Sequence, residues 1–410
     1  MSNSEIAGLG RPRPGDGVSR SDDGRIRATF VLQGGASLAE AAGAVAIEES
    51  TGTSHHSEEV GECVGGAVEY VEIAGIGPLA LRSPALERAG VTESEFGRAT
   101  VSWPAENAVS LPGLLSLVTG ETFETASFAA CRLVGVELPD AVLAGVCGGP
   151  RRGLRGVRDA LGVEARPVLG AIVKPSSGLG PDEYAEVAAA LARGGADFVK
   201  DDEILTDPPH CRFRERVPAA VAALDSVAEE TGQATAYMAN LTGSIDGLLE
   251  RAEFAVEAGV RLLMLNGLIM GLDAVRFLAS ADLAPVFAHR VFAGAISRAP
   301  EVGVAPGVLA GLTRVAGADC VQVGAIYGKL FEDDAVVLDN ADNCTRQIPG
   351  ISASLPVSGG GQSAATVLRN RAAFDGVDFG HLLGAAAVDD PAGAEAGVAK
   401  TVVAWSEALR

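Results

Sequence analysis

The sequence is short of positive charge. Across 410 residues, 32 Lys and Arg face 53 Asp and Glu, a net charge of −21. That balance opposes binding to nucleic acid or to an anionic membrane, and a phosphorylated substrate would need a local basic pocket. No apolar run reaches membrane-spanning length, and the N-terminus has no charged stretch followed by an apolar one of the kind that directs export. The six cysteines, Cys63, Cys131, Cys147, Cys211, Cys320 and Cys344, are scattered without paired metal-ligand spacing. Buried thiols in a reducing cytoplasm fit that scatter, so the expected location is cytoplasmic. What is present is a chain 48% hydrophobic with room for two or three domains, because single cores rarely grow past roughly 250–300 residues.

Residues 1–24 mix Gly, Pro, Ser and charge without periodicity, the composition of a flexible arm. From 25 to 139 the pattern changes repeatedly. IRATFVL alternates as a strand, SLAEAAGAVAIEES repeats as a helix, and AVEYVEIAGIG and ENAVSLPGLLSLVTG suggest further strands around a helix, an α+β domain. Its loop Glu48-Glu49-Ser50-Thr51-Gly52-Thr53 gathers two carboxylates, three hydroxyls and a glycine, which alone reads as a helix end and an ordinary turn. After Leu138-Pro139 the chain becomes regular. Strand-like runs fall at 168–173, 197–200, 234–240, 260–266, 285–289, 320–324, 354–358 and 377–383, with helical patterns between them, several closing on Gly. Alternating units over 140–410 predict a (β/α)8 TIM barrel, whose functional residues sit at the C-terminal strand ends.

The densest chemistry lies at 168–203, VLGAIVKPSSGLGPDEYAEVAAALARGGADFVKDDE. A strand ends at Lys174, a loop and a helix follow, and a second strand ends in Lys200-Asp201-Asp202-Glu203. A period of two sets Lys200 and Asp202 on one face of that strand and Asp201 on the other, with Glu203 at the turn. On the same rim the pattern places Asn240, Asn266, His289 with Arg290, the loop GAIYGKL bearing Lys329, and Gly359, Gly360 and Gly361 ahead of SAATV. Taken singly, each has an ordinary explanation. Lys174 reads as a salt-bridge partner, the acidic run as a solvated turn, His289 as a satisfied core histidine, and the glycines as a tight turn as well as a set of N–H donors for an anion. Taken together, as polar groups on one rim, they point to an enzyme.

The runs EESTGTS, VKPSSGLGPDEY, RGGADFVKDDE, RFRERV, AHR and GKL, spread in this order over 25–410, resemble the ribulose-bisphosphate carboxylase large chain. They look more closely like the RuBisCO-like proteins of that family. The resemblance implies a ferredoxin-like α+β domain ahead of the barrel. It implies that Lys200 is carbamylated by CO2 and binds Mg2+ with Asp202 and Glu203. It further implies that Lys174 shuttles the proton in enolisation, His289 assists, Arg290 holds a phosphate, Lys329 closes over the substrate, and Gly359, Gly360 and Gly361 contact it. A homodimer or higher homo-oligomer is also implied, in which Glu48 and Thr53 complete a neighbour's site. The donor chemistry agrees, because an ammonium would repel Mg2+ whereas a carbamate and two carboxylates offer three anionic oxygens.

The departures narrow the activity. Ser176 stands where carboxylases have a second lysine after Lys-Pro, and Glu121 where they have an asparagine. Gln322 replaces a phosphate-binding histidine, Ser54 a tryptophan, and Gly384-Ala385-Ala386 a triple glycine. Methyl groups at that last site crowd the backbone N–H donors a phosphate must approach. The expectation is a Mg2+-dependent enzyme that enolises a keto-sugar or sugar-acid substrate carrying at most one phosphate, with tautomerisation, isomerisation or decarboxylation as the outcome and no net CO2 fixation. Two other classes stay open on the sequence: a Schiff-base aldolase barrel using Lys174 or Lys200, and a non-catalytic sensor or scaffold.

Overall fold

The computed structural model describes residues 4–52 and 65–410. They form two units. One holds the described residues up to Gly148 together with Phe292–Leu312 and Ile348–Ile351, and the other holds Gly149–Val291, Thr313–Gln347 and Ser352–Arg410.

In the first unit, strands β1 (Gly17–Arg20), β2 (Arg25–Gly34), β3 (Ala67–Pro78), β4 (Glu93–Pro104) and β5 (Phe128–Leu138) lie in the order β1-β5-β2-β4-β3. β2 runs antiparallel to both β4 and β5, which places it at the centre. Helix Leu38–Glu48 buries Leu38, Ala41, Ala42 and Val45, and its N-cap Ser37 accepts a hydrogen bond from the Glu40 N–H at 3.1 Å. Glu48 is the last residue of that helix. Residues 4–24, read from composition as a flexible arm, carry helix Ser4–Leu9 and β1. Ile6 and Val18 are buried, and Asp16 takes two hydrogen bonds from Arg98 at 2.9 and 2.6 Å. Composition averages away such isolated anchors.

The second unit is a closed parallel barrel. Its strands are β6 (Val168–Ile172), β7 (Phe198–Lys200), β8 (Ala236–Asn240), β9 (Leu262–Asn266), β10 (Val286–His289), β12 (Cys320–Gly324), β13 (Leu355–Gln362) and β14 (Gly380–Leu383), with β14 pairing back to β6. Each run marked from the sequence overlaps one of these strands. β11 (Val302–Val304), between β10 and β12 in sequence, belongs to the first unit and pairs with β5. Val168, Phe198, Met238, Met264, Phe287, Cys320, Val357 and Leu382 form the barrel core, and their period of two along each strand sends the next inward residue to the rim. Gly170 is required here, because a Cβ would lie 2.1 Å from the ring of Phe198.

The three glycines at 359–361 differ from expectation. They do not form a turn but lie inside β13, where the register against β14 shifts between Gly359 and Gln362. Gly360 and Gly361 have φ of +125° and +88°, conformations that disfavour a side chain, and so the strand bulges over the rim instead of ending. Among the described residues no helix is long and apolar enough to cross a membrane.

Candidate active site

β7 ends where its alternation brings Lys200 inward. The Lys200 side chain has 0% exposure, and its Nζ donates to the Asp201 carbonyl at 2.7 Å and lies 3.9 Å from Glu203 Oε2. Burial lowers its pKa, against the opposing pull of Glu203, Asp202 and Asp201. The neutral amine is the form that adds CO2. Lys174, two residues past the end of β6, bonds the Asp202 carboxylate and donates to Ser176 Oγ at 2.7 Å. Burial works against ionisation of Asp202, yet the Lys174 hydrogen bond, the Ile204 N–H and the charges of Lys174 and Lys200 outweigh it and hold the pKa low.

His289, the last residue of β10, sets Nε2 3.5 Å from Glu203 Oε2. Its Nδ1 accepts from the Val291 N–H at 3.2 Å, so the neutral ring carries its proton on Nε2, facing Glu203. Burial, then the charges of Lys200, Arg290 and Lys174, push its pKa well below 6.5. Asn240 and Asn266 fix the loop that presents these groups. Asn240 Nδ2 reaches the carbonyls of Asp202, Glu203 and Leu205, each at 3.2 Å, and Asn266 Nδ2 reaches that of Glu203 at 2.9 Å. The Asn266 Oδ1 is buried without a hydrogen-bond partner, an acceptor available to a ligand.

Asp201 points the other way, as the strand period requires. It accepts from Tyr184 Oη at 2.5 Å, Tyr237 Oη at 2.6 Å, Arg216 at 3.1 Å and the Asn240 N–H at 2.8 Å. Burial first, and then the Asp201 charge, raise both tyrosines well above 10. No role was read for Tyr184, Tyr237 or Arg216 from the sequence. Tyr184 closes the run VKPSSGLGPDEY and Arg216 lies within RFRERV, the two signals that marked the region.

The remaining rim groups divide. Lys329 is exposed on the loop after β12, its N–H bonded to the Gly360 carbonyl at 3.0 Å, and no carboxylate pairs with it among the described residues. A Cβ on Gly361 would lie 3.2 Å from the Lys329 nitrogen, so the glycines let this loop settle on β13. Arg290 makes a two-pronged ion pair with Glu332, Nη1 to Oε2 at 2.7 Å. In the first unit, Glu48 is hydrogen-bonded to Glu121, which together with burial and the charges of Glu121 and Glu49 raises its pKa. Thr53 and Ser54 lie outside the described residues.

Asp202 and Glu203 offer hard oxygen donors, but among the described residues no third His, Cys, Asp or Glu joins them. A carbamate on the neighbouring buried Lys200 is the group that completes a divalent-cation set, and so the residues present fit Mg2+ on that condition.

The family model of the ribulose bisphosphate carboxylase large chain, catalytic domain, matches residues 153–410. The chain belongs to that family. It is 35% identical over 322 residues to a ribulose bisphosphate carboxylase-like protein of Chlorobaculum tepidum, covering 77% of this chain and 74% of that one. It is 30% identical over 394 residues to the 3-oxo-isoapionate-4-phosphate transcarboxylase/hydrolase of Xanthobacter autotrophicus, covering 94% of each. A rubisco-like protein from Burkholderia fungorum superposes with a TM-score of 0.87 at 28% identity, covering 94% of this chain and 95% of the other.

Proposed function

We propose that this chain is a Mg2+-dependent enzyme that enolises a keto-sugar or sugar-acid substrate, with tautomerisation, isomerisation or decarboxylation as the outcome and no net fixation of CO2. The observation that carries this reading is the convergence of Lys174, Lys200, Asp202, Glu203 and a neutral His289 on one rim. Lys200, as a carbamate, would hold the cation with Asp202 and Glu203. When bound, such a cation polarises a substrate carbonyl and acidifies the adjacent C–H bond.

Lys174 then removes that proton. The electron pair of the C–H bond moves into the substrate to give the enolate, and the proton stays on Nζ until it is returned to a carbon or to water. Lys174 bonds Asp202, one of the carboxylates that would hold the cation, and so its amine stands beside the carbon whose proton it would take. Ser176 receives the Lys174 hydrogen bond and orients the amine. His289 presents a proton toward Glu203 and serves as the second proton carrier. Lys329, Gly359, Gly360 and Gly361 would cover the substrate. A homodimer in which Glu48 and Thr53 complete the partner's site accords with the family resemblance. The name of the Xanthobacter relative, with one phosphate on an oxo sugar acid, supports the substrate class.

The test is exchange of the substrate α-proton with solvent deuterium across a panel of keto-sugar and 3-oxo sugar-acid monophosphates. Exchange should need Mg2+ and bicarbonate and should fall about 100- to 10,000-fold in Lys174→Met, the usual range for a general base. Labelled CO2 entering ribulose bisphosphate would overturn the non-carboxylating reading, and a borohydride-trapped substrate adduct would favour the aldolase instead.

A further inference from the structure

Enolisation does not say which end of the substrate carries charge. The rim between β10 and β12 does. Arg290, the residue after His289, directs both terminal nitrogens to Glu332, at 2.7 and 2.5 Å, and the Glu332 side chain is only 1% exposed. Such a fork-to-fork pair uses the guanidinium in its strongest geometry. Gly324 makes room for it: with φ +103°, it has no Cβ where one would lie 2.9 Å from both Arg290 Nη1 and Glu332 Oε2. Asn340, held by the Val323 carbonyl at 2.8 Å, stands 3.5 Å from Glu332 Oε1 and braces the carboxylate. An arriving phosphate would therefore meet a carboxylate along with the arginine, and like charges set side by side cost binding energy.

Gln322 gives an independent observation on the neighbouring strand. The register that pairs Ala288 with Val321 sets it beside His289, on the inward face it shares with Cys320. Its Nε2 donates to the Gly359 carbonyl at 3.3 Å, which fixes the amide orientation, because the flipped amide would set two oxygens against each other. The Oε1 is left buried with no hydrogen-bond partner, on a residue 9% exposed. A buried unpaired acceptor calls for a donor. A phosphate ester brings acceptor oxygens, whereas a hydroxyl brings a proton.

We infer that this quarter of the rim, between Arg290, Glu332 and Gln322, takes an uncharged, hydroxyl-bearing end of the substrate and excludes a phosphate. The inference rests on the enolase reading for the existence of a substrate, but its test needs neither turnover nor Mg2+. Inorganic phosphate is titrated by calorimetry into the wild type, Arg290→Leu, Glu332→Gln and the double variant. Arg290→Leu should leave the wild-type phosphate affinity unchanged, Glu332→Gln should tighten it at least ten-fold, and the double variant should lose the gain. A wild-type affinity that falls ten-fold in Arg290→Leu overturns the proposal, as does a folded Glu332→Gln that binds no better. Should Glu332→Gln fail to fold, the wild type alone decides with ribitol 5-phosphate and ribitol 1,5-bisphosphate: a bisphosphate bound ten-fold tighter than the monophosphate overturns it. Failure of deuterium exchange with these results intact would sink the enolase reading and leave the charge assignment standing.

Discussion

Asp201 and Asp202 are neighbours in the chain and have opposite lives. The outward Asp201 is saturated by two tyrosine hydroxyls, a buried arginine and a backbone N–H. The inward Asp202 holds the ammonium of Lys174 and faces the rim. Half a strand period separates a carboxylate consumed by the fold from one kept available for chemistry. The outer network locks β7 to β8 and to the helices Pro181–Arg193 and Phe213–Thr231, and that rigidity holds the inner groups close together at the strand end. Stability and reactivity are thus assigned to the two faces of one strand.

The largest effect that tests this division is on the inner face. Lys200→Met should abolish saturable Mg2+ binding and the bicarbonate-dependent 13C carbamate resonance while leaving the urea midpoint close to wild type. Full metal affinity in that variant would remove Lys200 from the site. On the outer face, Asp201→Ala leaves Arg216 charged and buried, both members of the pair having 0% side-chain exposure. It should cost about 3–5 kcal/mol in urea unfolding, the range for removing one partner of a buried pair, whereas Asp202→Asn should cost less than about 1 kcal/mol. Equal losses in the two variants would break the comparison.

The smallest effect concerns two buried histidines, His289 and His381. His381 of β14 lies edge-on to the Trp405 ring, centroids 5.6 Å apart, and burial lowers its pKa from 6.5 to about 4, against a smaller opposing pull from the Ser363 backbone. Below pH 6.5 the unfolded chain binds a proton that the folded chain refuses, so stability falls as pH drops. At about 1.4 kcal/mol per pH unit the loss reaches about 3 kcal/mol by pH 4. His289 contributes with the same sign, its pKa being likewise depressed by burial. Urea midpoints between pH 7 and 4.5 should show a shallower decline in His381→Leu than in wild type, with deuterium exchange at pH 7.5 unchanged. An identical decline would place the acid sensitivity elsewhere.

Much of this was legible in the residues. Strand periodicity with Gly-closed helices marks the eight barrel strands because hydrophobic alternation is a local property, and the same period separates Asp201 from Asp202 and Lys200. The run GGADFVKDDE carries the metal-ligand types at fixed spacing. The partners that decide each group's role are remote in sequence. Tyr184, Arg216 and Tyr237 reach Asp201 from positions 17, 15 and 36 residues away, and Glu332 reaches Arg290 across 42. Composition could not show that Asp16 anchors the N-terminal segment through Arg98, 82 residues on. Local pattern thus determined which strands form, which way each side chain faces and which chemistry is present. Barrel closure alone decided which charges meet, Lys174 with Asp202 and Arg290 with Glu332, because pairing over such separations depends on where the strands end in space.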